Sequence, residues 1–441
     1  MSVTVVDVSA ETPTRGRYVL VGWLCGLSSV LYLDRICMSQ AVKPIQEDLG
    51  LSGTETSYAM MAFSLAYGIF EIPSGRLGDR YGSRNVLTRI VIWWSLFTAL
   101  TGFSFGLASL IIVRFLFGAG EAGAFPNAAR VIGRWFPERE RGRVQGIMLA
   151  AAQFGGVVAP ALAAGLIHLI GWRGAFFVFG SLGVIWAVGF RWWFRDDPAK
   201  HPSVNAAELA QIRDGRPVPD LHHHAIPWAE VLTNRGILAL GGVMVVGSFY
   251  TYFFYSWFPK YLTAARGVSD LESGALASWV LAGSAAGMLI GGWLADKLPR
   301  WFDDPIRARR GLCMTCYFLA AVCLGAGIRC ESVYALAGLW CLSYCVMHIT
   351  LPNWWSVAIP QSGRHVGALF GLMNGVGVFG ALASQGFVGI YSEWRKAQGF
   401  TGREQWDPLF DLYVGVLLLG MVGWVLYRYR PLSDSPHAEE K

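Results

Sequence analysis

GRLGDRYGSR (residues 75–84) and GGWLADKLPR (residues 291–300) share one pattern, in which small residues and an apolar residue precede an aspartate and a basic residue. The first stretch follows the second long apolar run of the chain, and the other follows the eighth run. They therefore occupy equivalent positions if the chain repeats a six-helix unit. Such repeats form a binding site near the middle of the membrane, at the interface between the two copies.

The apolar runs predict an all-α membrane protein. Of its 441 residues, 54% are hydrophobic and 15% are charged, whereas about a quarter of an average soluble chain is charged. A helix needs about 20 apolar residues to cross a bilayer. Twelve such runs are predicted, at 18–40, 56–76, 86–104, 107–131, 144–168, 173–194, 236–262, 272–296, 309–328, 332–358, 364–391 and 409–428.

Positive charge in the loops predicts the orientation of the chain. The loops after the second, fourth and eighth runs are rich in arginine, and such loops are typically cytoplasmic. This alternation puts both termini in the cytoplasm of a multi-pass protein of the inner (plasma) membrane. Residues 1–17 are polar and the first apolar run is long, so no cleavable signal is predicted. The net charge of +6 reflects this topology, and no nucleic-acid partner is expected.

The longest polar segment divides the chain into two halves of six runs each. We predict an N-terminal bundle over residues 1–194, a cytoplasmic linker over 195–235 and a C-terminal bundle over 236–441. Three histidines, His222 to His224, lie in this segment. A metal site is one interpretation of them, but a solvated linker is favoured.

The fourth run contains RFLFGAGEAGAF (114–125), with Arg114 and Glu121 on one helix face about 10 Å apart along its axis. The first run contains YLDRI (32–36), with Asp34 and Arg35. A charge inside the bilayer is unfavourable by several kcal/mol, so such side chains pair with each other or face a cavity. Two interpretations stay open: a static structural network, and a site for proton-coupled binding of an anion.

The second interpretation follows from the chemistry of the four side chains. An arginine fork suits a carboxylate ligand, and a low-dielectric site favours the neutral form of a carboxyl group. Protonation of Asp34 or Glu121 would release a paired arginine to hold the anion. Loss of the proton would restore the internal pair and expel the anion.

The same stretches resemble a known family. GRLGDRYGSR resembles the loop signature of the major facilitator superfamily. YLDR together with RFLFGAGEAGAFPNAARVIGRWFP (114–137) resembles the anion:cation symporter family within it, which includes bacterial sugar-acid and hexuronate proton symporters. The resemblance implies twelve transmembrane helices in two pseudo-symmetric six-helix bundles. It also implies import of an organic anion, such as a hexuronate or aldonate, with protons by alternating access.

The resemblance implies roles for individual residues. The family's Asp-Arg pair and its Arg and Glu match the four charged residues: Asp34 and Glu121 for proton coupling, and Arg35 and Arg114 for binding the anion. The polar pocket is expected to include Tyr32, Tyr67 and Asn374. It is also expected to include Gln153, because an amide inside an apolar helix should face protein or a cavity.

Two further expectations concern a latch and a departure from the family. Asp79 and Arg80 are expected to form a cytoplasmic gating latch. Family members often carry a second amide shortly after the asparagine of the eleventh run, but here Val378 and Phe379 follow. That departure allows a less polar or differently shaped ligand.

Other functions are less favoured. An exchanger, or a symporter of aromatic or dicarboxylic acids, is the alternative within transport. A membrane receptor would normally need an output domain, and a membrane enzyme would need a nucleophile–base or metal set; neither stands out. No cofactor is expected, with a proton gradient as the driving force, and we expect a monomer. His348 is interpreted as a packing histidine with its hydrogen bonds satisfied.

Overall fold

The computed structural model describes residues 12–213, 228–362, 366–430 and 432, and at some helix positions within them only the backbone. Every regular element in these ranges is a helix, which confirms the predicted all-α class. The N-terminal half comprises α1 (Gly16–Leu49), α2 (Gly53–Tyr81), α3 (Ser83–Thr101), α4 (Leu107–Glu121), α5 (Ala124–Trp135) and α6 (Glu138–Trp193).

Between the halves lie α7 (Ala206–Arg213) and α8 (Trp228–Thr233). The C-terminal half comprises α9 (Arg235–Ser256), α10 (Phe258–Arg266), α11 (Asp270–Trp301), α12 (Pro305–Arg329), α13 (Val333–Ser362), α14 (Val366–Ala397), α15 (Gly402–Trp406) and α16 (Leu409–Leu426).

Twelve membrane-crossing segments result from these helices. In the described part of the chain, nine helical stretches are long and apolar enough to cross a membrane. One of them, 143–193, contains the fifth and sixth predicted spans, which meet at the non-helical residue Gly171. The helices α2 and α3 supply the remaining two spans. The domain boundaries at 194 and 235 stay a prediction.

Local sequence explains where the helices start and stop. The Ser52 side chain accepts a hydrogen bond from the N–H of Glu55, whose carboxylate accepts one from the Ser52 N–H, so a capping box begins α2. Gly50 ends α1 in the left-handed conformation with φ of 64°, which glycine adopts without strain. The first helix therefore runs nine residues beyond its predicted apolar end.

The fourth predicted span is not one continuous helix. The structure interrupts 107–131 at Ala122 and Gly123 and resumes as α5. Pro126 lacks the N–H that would bond back to the Ala122 carbonyl. A Cβ at Gly123 would also lie 2.6 Å from the Ser74 Cβ, so the interruption brings these segments into close contact. Glu121 is consequently the last residue of α4.

The segment between the halves is not simply a solvated linker. Its described first part folds back onto the start of α1, where the fully buried Glu208 accepts hydrogen bonds from the N–H groups of Gly16 and Arg17 at 3.0 Å each. The same carboxylate accepts a hydrogen bond from the Arg17 guanidinium at 3.2 Å. A buried carboxylate stabilises the first turn of a helix by satisfying its free N–H groups. His222 to His224 lie outside the described residues.

Candidate substrate and proton site

Arg35 and Glu121 form a buried ion pair between α1 and α4. The Arg35 Nε donates a hydrogen bond of 3.0 Å to the Glu121 Oε1, and Nη2 contacts the same oxygen. Glu121 is only 1% exposed. Its second carboxylate oxygen, Oε2, has no hydrogen-bond partner among the described residues. Two of the four predicted charges are therefore paired directly.

Arg114 is buried without such a pair. No carboxylate described by the structure lies within salt-bridge distance of it, and its Nε has no hydrogen-bond partner there. Its guanidinium carbon lies 5.0 Å from the centre of the Phe63 ring and 4.7 Å from that of Phe117. The Arg35 guanidinium lies 5.2 Å from the same Phe63 ring. Aromatic faces thus support both cations, by about 0.5–2 kcal/mol each.

Asp34 occupies a different environment from its neighbour Arg35. It is 1% exposed, and neither carboxylate oxygen makes a hydrogen bond within the described part of the chain. Trp94 and Thr98 of α3 are possible donors in its neighbourhood. Adjacent helix residues point about 100° apart, which separates the two side chains. The four charges are thus one ion pair, one unpaired acid and one unpaired cation, not a closed network.

Both halves line a small cavity beside these charges. Its lining includes Arg35, Phe63 and Arg114 from the N-terminal half and Tyr252, Tyr255 and Gln385 from the other half. The volume is about 10 Å³, roughly that of one water molecule. A larger ligand requires the halves to separate.

Several predicted pocket residues lie near this cavity. The Tyr67 ring lies 4.8 Å from the Arg35 guanidinium carbon. Tyr32 packs edge-on against Tyr255 with ring centres 6.3 Å apart, which joins the halves. Gln153 accepts a hydrogen bond of 3.1 Å from Ser284 of α11, so its amide faces the other half.

Three predicted side chains lie outside the described residues. These are Asn374, Asp79 and Arg80, of which only the helical backbone is described, so their predicted roles stay predictions. Phe379, at one of the positions where a second amide was expected, is 67% exposed and faces away from the cavity. His348 is buried, and its Nδ1 lies 2.7 Å from the Tyr344 carbonyl oxygen; the packing interpretation of this residue stays a prediction.

Gln385 is a site residue that the sequence prediction missed. Its Oε1 accepts a hydrogen bond of 2.7 Å from Ser64 of α2, and its Nε2 donates one of 3.0 Å to Ser256 of α9. It therefore bridges the two halves beside the cavity. The available signal was an amide inside an apolar helix, the same signal that singled out Gln153. Tyr252 and Tyr255 carried no such signal, because aromatic residues are common in membrane helices.

The halves also contact each other at the membrane face opposite the start of α1. There Lys43 pairs with Asp270 at 3.1 Å, and the Gly53 N–H donates a hydrogen bond of 2.9 Å to Glu393. These groups lie at the end of α1, the starts of α2 and α11 and the end of α14. Together these contacts join the two halves at this face; we call them the outer seal, because the predicted orientation of the chain makes this face extracytoplasmic.

Solved structures with the same arrangement of helices are transporters. A bacterial homologue of the human lysosomal transporter Spinster, in an inward-facing unoccupied conformation, matches 93% of this chain and 95% of its own with a TM-score of 0.72 and 19% identity. The D-xylose–proton symporter matches 96% of this chain and 99% of its own with a TM-score of 0.71 and 13% identity. These similarities establish the fold.

Several curated relatives are more similar to this chain in sequence than these solved structures are. A probable galactarate/D-glucarate transporter of Bacillus subtilis is 36% identical over 66% of this chain and 68% of its own. A probable sulfoacetate transporter of Cupriavidus necator is 30% identical over 83% of this chain and 85% of its own. The D-galactonate transporter of Escherichia coli is 28% identical over 96% of this chain and 97% of its own. With residues 24–385 matching the Major Facilitator Superfamily and twelve membrane spans in two halves, the chain belongs to that superfamily.

Proposed function

We propose that the protein is a secondary active transporter that imports a sugar acid together with protons by alternating access, without changing it chemically. The observation that carries this proposal is the Arg35–Glu121 ion pair, buried at a cavity that both halves line beside the unpaired Arg114. Names of the relatives support the substrate class, because they include galactarate, glucarate, galactonate and hexuronate transporters.

The geometry supports a specific coupling step. One oxygen of the Glu121 carboxylate accepts a hydrogen bond from Arg35, whereas the other oxygen has no hydrogen-bond partner among the described residues. A proton on Glu121 would remove the charge that holds Arg35. The two guanidinium groups beside Phe63 then present a doubly cationic surface that suits one or two carboxylates. Asp34 is a second buried carboxyl group able to accept a proton.

Transport also requires a change of conformation. The cavity beside the charges has room for about one water molecule, so the halves must separate at one face to admit a sugar acid. The outer seal closes the face opposite the start of α1. We place the protein in the bacterial inner membrane as a monomer with both termini cytoplasmic, which makes the sealed face extracytoplasmic.

Uptake into proteoliposomes tests the proposal. Radiolabelled D-glucarate, galactarate, D-galactonate and a hexuronate would be offered with and without an inward proton gradient. The wild type should take up at least one of these acids faster when the inward proton gradient is present. Glu121→Gln should lose the gradient-driven uptake by at least about tenfold while retaining exchange of preloaded substrate. Glu331→Gln, a change at an exposed carboxylate, is the matched control and should transport normally.

Three results would contradict the proposal. If wild-type uptake ignores the pH gradient but requires substrate on the other side, the protein is an exchanger. If aromatic or other dicarboxylic acids are carried and all four sugar acids are refused, the substrate class is wrong. Binding of a sugar acid without any uptake would indicate a receptor.

A further inference from the structure

Four arginines lie at neighbouring ends of α3 and α6, on the face that carries the arginine-rich loops. Arg84 and Arg89 belong to the first two turns of α3, Arg191 to the last turn of α6, and Arg195 follows that helix. The Arg84 Nε donates a hydrogen bond of 3.0 Å to the Arg191 carbonyl oxygen, and the Arg191 Nη1 donates one of 2.9 Å to the Asn85 Oδ1. These bonds join the two helix ends. We call the four residues the arginine cluster.

The positive charge of the arginine cluster is only partly balanced. No carboxylate that the structure describes lies within salt-bridge distance of its four guanidinium groups, and that of Arg195 donates to two backbone carbonyl oxygens. The charged groups near Arg84 are two further cations, Arg191 and Arg195, and one carboxylate, Asp196. That carboxylate is already engaged by the Arg84 backbone N–H at 3.1 Å and by Arg134 at 3.9 Å.

The next acid along the chain does not restore the balance. Asp197 accepts a hydrogen bond of 3.0 Å from the Ala199 N–H and thus caps the following turn. Even if both acids are counted, the described residues place two carboxylates beside five guanidinium groups, those of the arginine cluster and Arg134. Cations held close together repel each other, so an anion among them would be stabilised.

An exposed apolar groove leads from the arginine cluster along the two helices. α3 and the second half of α6 run antiparallel and in close contact, since a Cβ at Gly180 would lie 2.6 Å from the Ser95 carbonyl oxygen. Helical spacings of three and seven residues put the groove's side chains on the same faces as Arg89 and Arg191. The exposed apolar side chains of this groove are Ile92 and Leu96 of α3 and Val184 and Val188 of α6.

Trp192 indicates the depth of the arginine cluster in the membrane. Its side chain is 79% exposed beside Arg191, and Val188, one turn earlier in α6, is 63% exposed. Exposed tryptophans concentrate at the boundary between lipid headgroups and hydrocarbon. The arginine cluster therefore lies at the depth of the headgroups, and the groove lies at the depth of the acyl chains. A soluble anion could use only the cluster, whereas a phospholipid could use both.

We propose that the arginine cluster and the groove form a binding site for one anionic phospholipid. Its phosphodiester would lie among the guanidinium groups of Arg84, Arg89 and Arg191, and one acyl chain would follow the groove. Guanidinium groups suit phosphate oxygens, and basic pockets between transmembrane helices bind anionic headgroups. The site faces the lipid on the outside of the N-terminal half, so the proposal does not depend on which acid the protein carries.

Native mass spectrometry of the full chain in detergent tests the choice of ligand. The protein would be titrated with phosphatidylglycerol, with phosphatidylcholine of the same acyl chains, and with the soluble headgroup glycerophosphoglycerol. We expect one phosphatidylglycerol to bind at least about tenfold more tightly than phosphatidylcholine, which carries no net charge. Equal affinities for the two lipids would overturn the proposal. Displacement of phosphatidylglycerol by an equal concentration of the soluble headgroup would also overturn it, because the site would then be one for a soluble anion.

Variants test the place of binding. Arg89→Gln/Arg191→Gln should weaken phosphatidylglycerol binding roughly ten- to thirtyfold, whereas Arg89→Lys/Arg191→Lys should keep most of it because the charge remains. The matched control is Arg143→Gln/Arg307→Gln, which removes two exposed arginines outside the groove. Wild-type affinity in the first variant, or an equal loss in the control, would contradict the proposed site.

A single change keeps the test decisive if the first double variant unfolds, as judged by its thermal midpoint without added lipid. The Arg89 side chain is exposed and makes no hydrogen bond to a described residue, so Arg89→Gln should fold normally. It should weaken phosphatidylglycerol binding roughly fivefold. Unchanged binding in this variant would remove Arg89 from the site and overturn the proposal.

Discussion

The Glu393 carboxylate of α14 accepts a hydrogen bond of 2.9 Å from the backbone N–H of Gly53, the first residue of α2. A side chain of one half thus caps a helix of the other half. A carboxylate at this position satisfies a free N–H group and interacts favourably with the helix dipole. The contact exists only while the two halves are together at this face, so it stabilises the sealed conformation relative to the open one.

Glu393→Ala should therefore shift the population toward an open outer face. Loss of a cap destabilises by about 0.5–2 kcal/mol, which changes the ratio of the two conformations roughly two- to thirtyfold. Hydrogen exchange measured by mass spectrometry should increase at the start of α2 and also around Ser256 and Trp257, deeper in the seal. Glu404→Ala removes an exposed carboxylate of α15 and should leave exchange at these segments unchanged. Faster exchange confined to the first turn of α2 would indicate local fraying, not opening.

Gln385 should contribute both to stability and to closure. Gln385→Leu keeps most of the volume but leaves Ser64 and Ser256, both buried, without their shared partner. We expect a loss of about 1–3 kcal/mol in the stability of the closed protein, because buried hydroxyl groups lose hydrogen bonds. The measurement is the thermal unfolding midpoint in detergent.

A double variant tests whether Gln385 acts through Ser64. Ser64→Ala combined with Gln385→Leu should lower the midpoint by less than the sum of the single changes, because the two side chains share one hydrogen bond. Gln405→Leu, whose amide also hydrogen-bonds within the C-terminal half, is the control and should add independently to Ser64→Ala. Strict additivity for Gln385 would show that the bridge between the halves has no energetic role.

The sequence predicted the spans, the duplicated halves and the buried charges, because each depends on composition and local pattern. Gln385 was predictable by the same argument as Gln153, since an amide in an apolar helix needs a protein partner. Pro126 offered a local signal for the interruption near Gly123, but the close contact with Ser74 of α2 was not predictable, because it is long-range. Glu208 was missed for a related reason, because its burial depends on the distant start of α1.

His201 predicts a pH dependence of stability. The ring is buried against Trp135 and Trp193, Nδ1 accepts a hydrogen bond of 3.2 Å from the Ser203 N–H, and Nε2 lies 3.0 Å from the Trp193 carbonyl oxygen. Burial lowers the pKa of His201 from its ordinary value of 6.5. The folded protein therefore holds a neutral ring where the unfolded chain already binds a proton.

The direction of the pH dependence follows from this difference in proton binding between the folded and unfolded protein. Stability from His201 is fully present above pH 6.5 and is lost as the pH falls from there through the lowered pKa, by at most about 1.4 kcal/mol per pH unit. The thermal midpoint of the wild type should fall between pH 7 and pH 5 more steeply than that of His201→Gln. His168→Gln is the control, and should retain the wild-type slope. Identical slopes for the wild type and His201→Gln would contradict the prediction.

Variants of the Arg35–Glu121 pair distinguish the two interpretations that the sequence left open, which are a static structural network and a site for proton-coupled binding of an anion. Arg35→Gln leaves a buried carboxylate unpaired and should destabilise the protein by about 3–5 kcal/mol, whereas the double variant Arg35→Gln/Glu121→Gln should recover much of that loss. A static network predicts that the double variant regains uptake along with its unfolding midpoint. A coupling site predicts the opposite result: the midpoint recovers while proton-driven uptake stays absent, because neither a proton acceptor at Glu121 nor a cation at Arg35 remains. Measuring both quantities on the wild type, Arg35→Gln, Glu121→Gln and the double variant decides between them.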